Sequence, residues 1–265
     1  VVNAPTGNTI SAAEHTIALM LSLARHIPQA NAVFKSGIWC RADFMGTEIK
    51  EKTLGIIGLG NIGSEVSRRA QGLDMKLIAY DPFISPERAH NLKVEIVSLE
   101  RLLKESDFIS LHVPLTPQTK RLIGTKQLAM VKPTMRIVNT ARGGLIDEEA
   151  LLKAIKENRM AGAAIDVFAI EPTTESILFK SDKIIVTPHL GASTTEAQAT
   201  AATDVAKQII DVLQGQPARY AVNAPFISPE ILSVLTPFLK VAVTVGGLVS
   251  QLAEGQMKSI KIKYN

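Results

Sequence analysis

Cysteine is almost missing from this chain. Among 265 residues only Cys40 carries a thiol, so no intrachain disulfide can form, and no zinc-ligand spacing is present. This usage suits a reducing compartment, and a cytoplasmic protein without a bound metal is expected. Aromatic residues make up only 5%, with Trp39 the single tryptophan, and no basic block with interleaved aromatics exists. The formal charge of +4 is therefore not read as a nucleic-acid footprint, though a modest positive excess suits small carboxylates and phosphates. Long apolar runs are lacking too. Ile17–Ala24 and Val241–Val249 are each too short to span a bilayer and no leader pattern opens the chain, so neither a membrane nor export is expected. The chain opens on Val1 and closes on Ser259–Tyr264, an alternating pattern with nothing after it to pair against. These ends read as those of a piece of a longer protein.

What is present is organised around Leu54–Gly63, an apolar strand-like run that leads through Gly58-x-Gly60-x-x-Gly63 into a helix. In such a turn the first glycine permits the sharp bend. The second lets backbone approach a pyrophosphate without a Cβ in the way, and the third lets helix pack closely on strand. Ile62, Val66, Ala70 and Leu73 then recur at helical spacing, giving an apolar face for a sheet. The next apolar run, Lys76–Tyr80, ends in Asp81, about twenty residues past the glycines, where a carboxylate accepts hydrogen bonds from an adenosine ribose. Alone, Asp81 is a turn residue before Pro82. With the glycines it marks a dinucleotide site, and its charge opposes a 2′-phosphate, so NAD is expected rather than NADP.

The length allows one large or two modest domains. Ser11 and Glu14 form a capping-box pattern, which predicts a helix from Ala12 to about His26. That helix is apolar on nearly every side, as one buried between domains or subunits would be. His15 and His26 flank it and read as structural. Pro28 ends it, and residues 29–53 read as a helical turn and then an extended arm able to dock on a neighbour, bearing Arg41. Beyond Asp81, short apolar runs alternate with helical segments. The runs are Val94–Val97, Phe108–Leu111, Met135–Val138, Ala163–Val167 and Ile184–Val186. The helices are Leu99–Glu105 capped by Ser98, Thr125–Val131 and Glu148–Asn158. This alternation predicts a doubly wound α/β domain, a Rossmann-type parallel sheet of roughly seven strands covered on both faces.

In such sheets ligands bind beyond the carboxyl ends of the strands. The residues there are His112-Val113-Pro114, Asn139-Thr140-Ala141-Arg142-Gly143-Gly144, Asp166 with Glu171-Pro172, and Pro188-His189-Leu190-Gly191-Ala192. Any one of these is an ordinary turn. An Arg, a Glu and a His on the rim of a dinucleotide site together suggest a reaction centre. Arg142 has the planar fork that holds a carboxylate with two bonds. His189 would exchange a proton with a carbonyl or alcohol oxygen, since imidazole titrates near neutrality. Glu171 would hold its tautomer and favour the imidazolium. His112 is the rival for the proton role and reads as structural or cofactor-lining; His90 reads as solvated.

With these residues the sequence resembles the D-isomer-specific 2-hydroxyacid dehydrogenase family, most closely its long-type phosphoglycerate-oxidising branch. The resemblance rests on Asn3–Asn8, Phe44–Glu48, the glycine loop, Asn139–Gly144, Asp166-Val167-Phe168 with Glu171-Pro172, and Thr187–Thr194. It implies catalytic roles for Arg142, Glu171 and His189. It implies NAD contacts at Gly58, Gly60, Asn61, Ile62, Gly63, Asp81, Val113, Pro114, Thr140, Ala141, Arg142, Asp166, His189, Gly191 and Ala192, with Asp166 near the nicotinamide carboxamide. Arg41, Arg142 and His189 would meet a small anionic 2-hydroxy or 2-oxo acid, Arg41 from across a dimer. The implied activity is NAD-dependent oxidation of 3-phospho-D-glycerate in serine biosynthesis, in a homodimer or tetramer. Alternatives are a glyoxylate or hydroxypyruvate reductase and an NAD-gated corepressor-type interaction protein. The implied domains are an NAD-binding domain over 1–194, a return segment of a substrate-binding domain over 195–223, and the start of an intervening domain over 224–265.

Overall fold

A computed structural model of the chain describes residues 1–223 and 229–252. The chain falls into two compact units, one spanning Ala4–Asp204 and one made of Val1–Asn3 with the residues from Val205 on.

In the larger unit seven strands form one parallel sheet. They are β1 (Thr53–Ile57), β2 (Lys76–Tyr80), β3 (Glu95–Ile96), β4 (Phe108–Leu111), β5 (Arg136–Asn139), β6 (Gly162–Ile165) and β7 (Ile184–Val186), in spatial order β3-β2-β1-β4-β5-β6-β7. The order reverses between β1 and β4, the switch point where α/β sheets open a crevice for ligands. Ile57 is level with Leu111, Leu111 with Asn139, Asn139 with Ile165 and Ile165 with Val186, so five neighbouring strands deliver their loops to one rim.

The helices of this unit are α1 (Thr9–Arg25), α2 (Ile27–Lys35), α3 (Asn61–Gln71), α4 (Pro86–Asn91), α5 (Leu99–Glu105), α6 (Thr125–Leu128) and α7 (Glu148–Lys156), and α8 (Thr195–Leu213) begins in it. Because side chains alternate along a strand, each strand feeds two layers. Leu54, Ile56, Phe108, Val138 and Ala164 pack with Met20 and Leu23 of α1 and Val66 and Ala70 of α3. Ile57, Ile109, Leu111, Ile137 and Ile165 pack with Leu102 and Leu103 of α5 and Leu151 and Ile155 of α7. Burying each large apolar side chain contributes about 1.5–3 kcal/mol, which is why strands covered on both sides are apolar almost throughout.

The capping box expected at Ser11 and Glu14 does not form. α1 starts earlier, at Thr9, with Asn8 before it and no side-chain cap. Ser11 is buried and gives its hydroxyl to Gly191 O, while Glu14 pairs with Arg69. Tertiary partners have claimed both side chains. His26 ends α1 in the left-handed conformation, and Pro28 sits in the first turn of α2, where its missing N–H costs nothing. α1 is not buried all round: one face lies on the sheet, while Ile10, Glu14, Ala18 and Leu21 stay open. The arm between α2 and β1 carries a 3-10 turn, Arg41–Phe44, and leaves Trp39 78% exposed with its ring edge-on to Phe34 at 5.3 Å. Two expected elements are shorter than their apolar runs, β3 at Glu95–Ile96 and α6 at Thr125–Leu128.

In the smaller unit Val2 bridges Ala221 in antiparallel fashion, and the buried Gln208 donates to Asn3 O and accepts from Tyr220 N. This unit also holds α9 (Pro229–Leu252). The apolar stretch read as Val241–Val249 proves longer, since Val234–Leu252 is one exposed helical run of 19 residues with mean hydropathy 1.4. By length and composition alone it is enough to cross a membrane, which corrects the expectation that no such run exists. The alternating pattern at Ser259–Tyr264 lies outside the described residues.

Candidate active site

β1 ends at Ile57 and the chain turns at Gly58, whose φ of +95° only glycine adopts without strain. A Cβ there would stand 2.7 Å from His112 O, and one at Gly63 would stand 2.0 Å from Gly58 O, so loop, β4 exit and α3 are in closest contact. Gly60 is different. Among the described residues nothing lies within 4 Å of the place its Cβ would take, and α3 begins there with no side-chain cap. An open space over uncapped N–H groups at a helix N-terminus fits a pyrophosphate.

Asp81 faces the same loop. Its Oδ2 accepts from Leu59 N at 2.8 Å and its Oδ1 from Phe83 N at 2.9 Å, which leaves one lone pair on each oxygen open among the described residues. Asn61 opens α3 at the surface, Ile62 packs into the core layer behind it, and the Val113 side chain lies against Gly58. Pro114 O accepts from the Thr119 hydroxyl.

After β5, Asn139 shapes the loop by accepting from Ala141 N and donating to Arg142 O, at 3.1 and 3.0 Å. Thr140 and Ala141 are buried by this turn, and the Arg142 side chain emerges exposed. Its Nη1 donates to Ala141 O, and among the described residues no carboxylate lies within 4.0 Å of it. Gly143 packs directly on Phe168, whose N–H donates to Glu171 Oε1 at 2.7 Å. Glu171 Oε2 accepts from His189 Nδ1 at 2.7 Å. The proton of the His189 ring is thus on Nδ1, and Nε2 has no hydrogen-bond partner among the described residues. Contacts therefore run without a gap from the Arg142 loop through Phe168 and Glu171 to His189.

Behind His189 sits Asp166, fully buried. Its carboxylate accepts from Leu190 N, Gly191 N and the Thr187 hydroxyl, and His15 Nε2 lies 3.2 Å from Oδ1. Burial pushes its pKa up, but the bonds from His15, Thr187 and Leu190 N–H outweigh burial and hold it below the usual carboxylate range. Ala192 O accepts from Thr194 N and closes the loop.

His15 therefore does not stand apart from the site, as its distance from any strand end suggested; α1 brings it there. The readable signal was a polar pair, Ser11 and His15, four residues apart on an apolar helix. Thr16 is likewise a polar residue of a kind common in helices, and Asn139 and Thr187, though they stand in the quoted motifs, carried no role of their own there. His112 touches Ser110, and burial pushes its pKa down to about 3, so it is neutral at neutral pH. His90 is exposed. Arg41 stands exposed on its 3-10 turn, and no hydrogen bond or ion pair joins it to the site among the described residues.

The class follows from this arrangement. Residues 17–191 match the D-isomer specific 2-hydroxyacid dehydrogenase, NAD binding domain, and the chain belongs to that family. NAD is its cofactor.

Among full relatives, the chain is 55% identical over 262 residues to the D-3-phosphoglycerate dehydrogenase of Synechocystis sp., covering 99% of this chain and 47% of that protein. It is 48% identical over 266 residues to the D-3-phosphoglycerate dehydrogenase of Methanocaldococcus jannaschii, covering 100% of this chain and 51% of that one. The chain thus spans about half the length of the curated relatives it matches. Among solved structures, a glyoxylate reductase from Paecilomyes thermophila superposes with a TM-score of 0.78 at 32% identity, covering 84% of this chain and 67% of that one. The D-lactate dehydrogenase of Lactobacillus jensenii, solved with NAD+, gives 0.76 at 29% identity, covering 84% and 72%.

Proposed function

We propose that the protein oxidises 3-phospho-D-glycerate to 3-phosphohydroxypyruvate with NAD, a step of serine biosynthesis. The observation that carries this reading is the His189–Glu171 pair at 2.7 Å, its Nε2 free, on the rim of an NAD site beside an Arg142 that has no acidic partner among the described residues. Relatives that bear the name D-3-phosphoglycerate dehydrogenase at 55% and 48% identity support the substrate.

In this reading Gly58, Gly60, Asn61, Ile62 and Gly63 hold the pyrophosphate, Asp81 the ribose, and Val113 and Pro114 flank the adenosine. Thr140, Ala141, Arg142, Asp166, His189, Gly191 and Ala192 line the nicotinamide end. NAD, when bound, supplies the hydride acceptor. Arg142 grips the substrate carboxylate through its fork and orients the carbon that loses hydride. His189 Nε2 takes the hydroxyl proton, and Glu171 stabilises the imidazolium that results. In the reverse direction the same ring returns the proton to the carbonyl oxygen.

We further propose the division into an NAD-binding domain over 1–194, a return segment over 195–223 and the start of an intervening domain over 224–265, with the apolar face of α9 covered within that domain. The open stripe of α1 and the arm with Trp39 suit a homodimer or tetramer in the cytoplasm, in which Arg41 approaches the partner's substrate. A second reading, glyoxylate or hydroxypyruvate reduction, draws on the likeness to a glyoxylate reductase. The test is NADH formation by the full-length protein with 3-phospho-D-glycerate at alkaline pH. Turnover supports the reading. No turnover there, with NADH consumption on glyoxylate, overturns it.

A further inference from the structure

α1 touches three of the loops that carry the site, each time by a hydrogen bond. Ser11 Oγ donates to Gly191 O at 2.7 Å, and the Thr16 hydroxyl meets that of Thr140 at 2.7 Å. His15 Nε2 lies 3.2 Å from both Thr187 Oγ1 and Asp166 Oδ1.

The donors around Asp166 fix the protons. A carboxylate only accepts, so the Thr187 hydroxyl, 2.5 Å from Oδ1, spends its one proton there. The Thr187 oxygen is then an acceptor toward His15, and the His15 proton must be on Nε2, shared between Thr187 Oγ1 and Asp166 Oδ1. Oδ1 thereby receives Leu190 N–H, the Thr187 hydroxyl and part of His15. Among the described residues Oδ2 receives only Gly191 N–H, at 2.9 Å. With two lone-pair positions per oxygen, Leu190 N–H and the Thr187 hydroxyl already fill Oδ1, His15 Nε2–H bridges Thr187 Oγ1 and Oδ1, and among the described residues Oδ2 keeps one acceptor position open.

We infer that His15 is a positioning residue of the cofactor site. Its Nε2–H, shared between Thr187 Oγ1 and Asp166 Oδ1, locks the carboxylate in one orientation and leaves the open position on Oδ2 for the N–H donors of the nicotinamide carboxamide. The inference rests on the proposed assignment of Asp166 to the nicotinamide end. It makes one face of α1, which precedes the glycine loop in sequence, part of how the site recognises an amide.

The test is equilibrium binding of NAD and of 3-acetylpyridine adenine dinucleotide, which keeps the ring carbonyl and lacks the amide N–H donors. Wild-type protein should prefer NAD by about tenfold or more, the worth of a hydrogen bond to a charged group. His15→Phe should bring NAD binding to within about twofold of the analogue while the analogue's own binding stays put, and His15→Gln, which restores a donor, should recover much of the preference. A general loosening of the loop would weaken both ligands alike, and that result, or an unchanged preference in His15→Phe, overturns the inference. Asp166→Ala reports on the underlying assignment separately. If it leaves the preference intact, the carboxylate does not read the amide, and the role given to His15 falls with it.

Discussion

Gly143 and the carbonyl of Phe168 are packed so closely that a Cβ on Gly143 would stand 1.7 Å from the Phe168 oxygen. This contact joins the loop of Arg142 to the loop of Glu171, since Phe168 N–H is itself held by Glu171 Oε1. Gly143→Ala must separate the two loops. We expect a loss of about 2 kcal/mol or more in stability, the scale of overpacking a close site, and a kcat reduced at least tenfold. Urea unfolding and steady-state kinetics check both.

Two glycines of the NAD loop should respond in opposite ways. At Gly60 a methyl group meets open space, so Gly60→Ala should leave the thermal midpoint nearly unchanged and weaken NAD binding at least tenfold. At Gly63 the methyl group meets backbone at 2.0 Å, so Gly63→Ala should lower the midpoint before any ligand is added. Calorimetric melting and NAD titration of the two variants separate the cases.

Glu171→Gln keeps an acceptor near His189 Nδ1 and removes the charge. The imidazolium that forms as His189 takes the hydroxyl proton then lacks its counter-charge, so kcat for oxidation should fall about a hundredfold with KM little changed. An unchanged kcat would break the assigned pairing.

His112 gives a pH signature. Burial lowers its pKa from 6.5 to about 3, so between those values the unfolded chain binds a proton that the native chain does not. Stability then rises with pH through that window, by about 1.4 kcal/mol per unit, and is lost as pH falls. His112→Gln should remove one proton from the slope of urea midpoints against pH. A slope the same in both proteins would show that His112 titrates normally.

The parts of this molecule legible in the sequence are those whose causes are local. The turn at Gly58, the helix after it and the alternation of strands with helices all depend on residues close in the chain, and the structure repeats them in order, with α6 three residues shorter than expected. The positions just past the strands were legible for a topological reason, because a parallel sheet delivers all such loops to one rim. Three features were not. Ser11 and Glu14 look like a helix cap, and only the folded chain offers Ser11 the better acceptor at Gly191 and Glu14 the cation of Arg69. His15 looks like a helix residue with no business at a strand end, yet α1 crosses the sheet and sets it against Asp166. The apolar run within α9 was measured too short because Pro237 and Lys240 interrupt the pattern without ending the helix.

His189 has a φ of 55°, a twist that a side chain with a Cβ takes up at a disadvantage of about 1–2 kcal/mol. Glycine would sit there at ease. That the chain holds an imidazole in so awkward a posture, fastened by Asp166 O behind and Glu171 beside, means the spot is kept for the ring and not for the bend. A variant with glycine at this place should be the sturdier protein and the idle one.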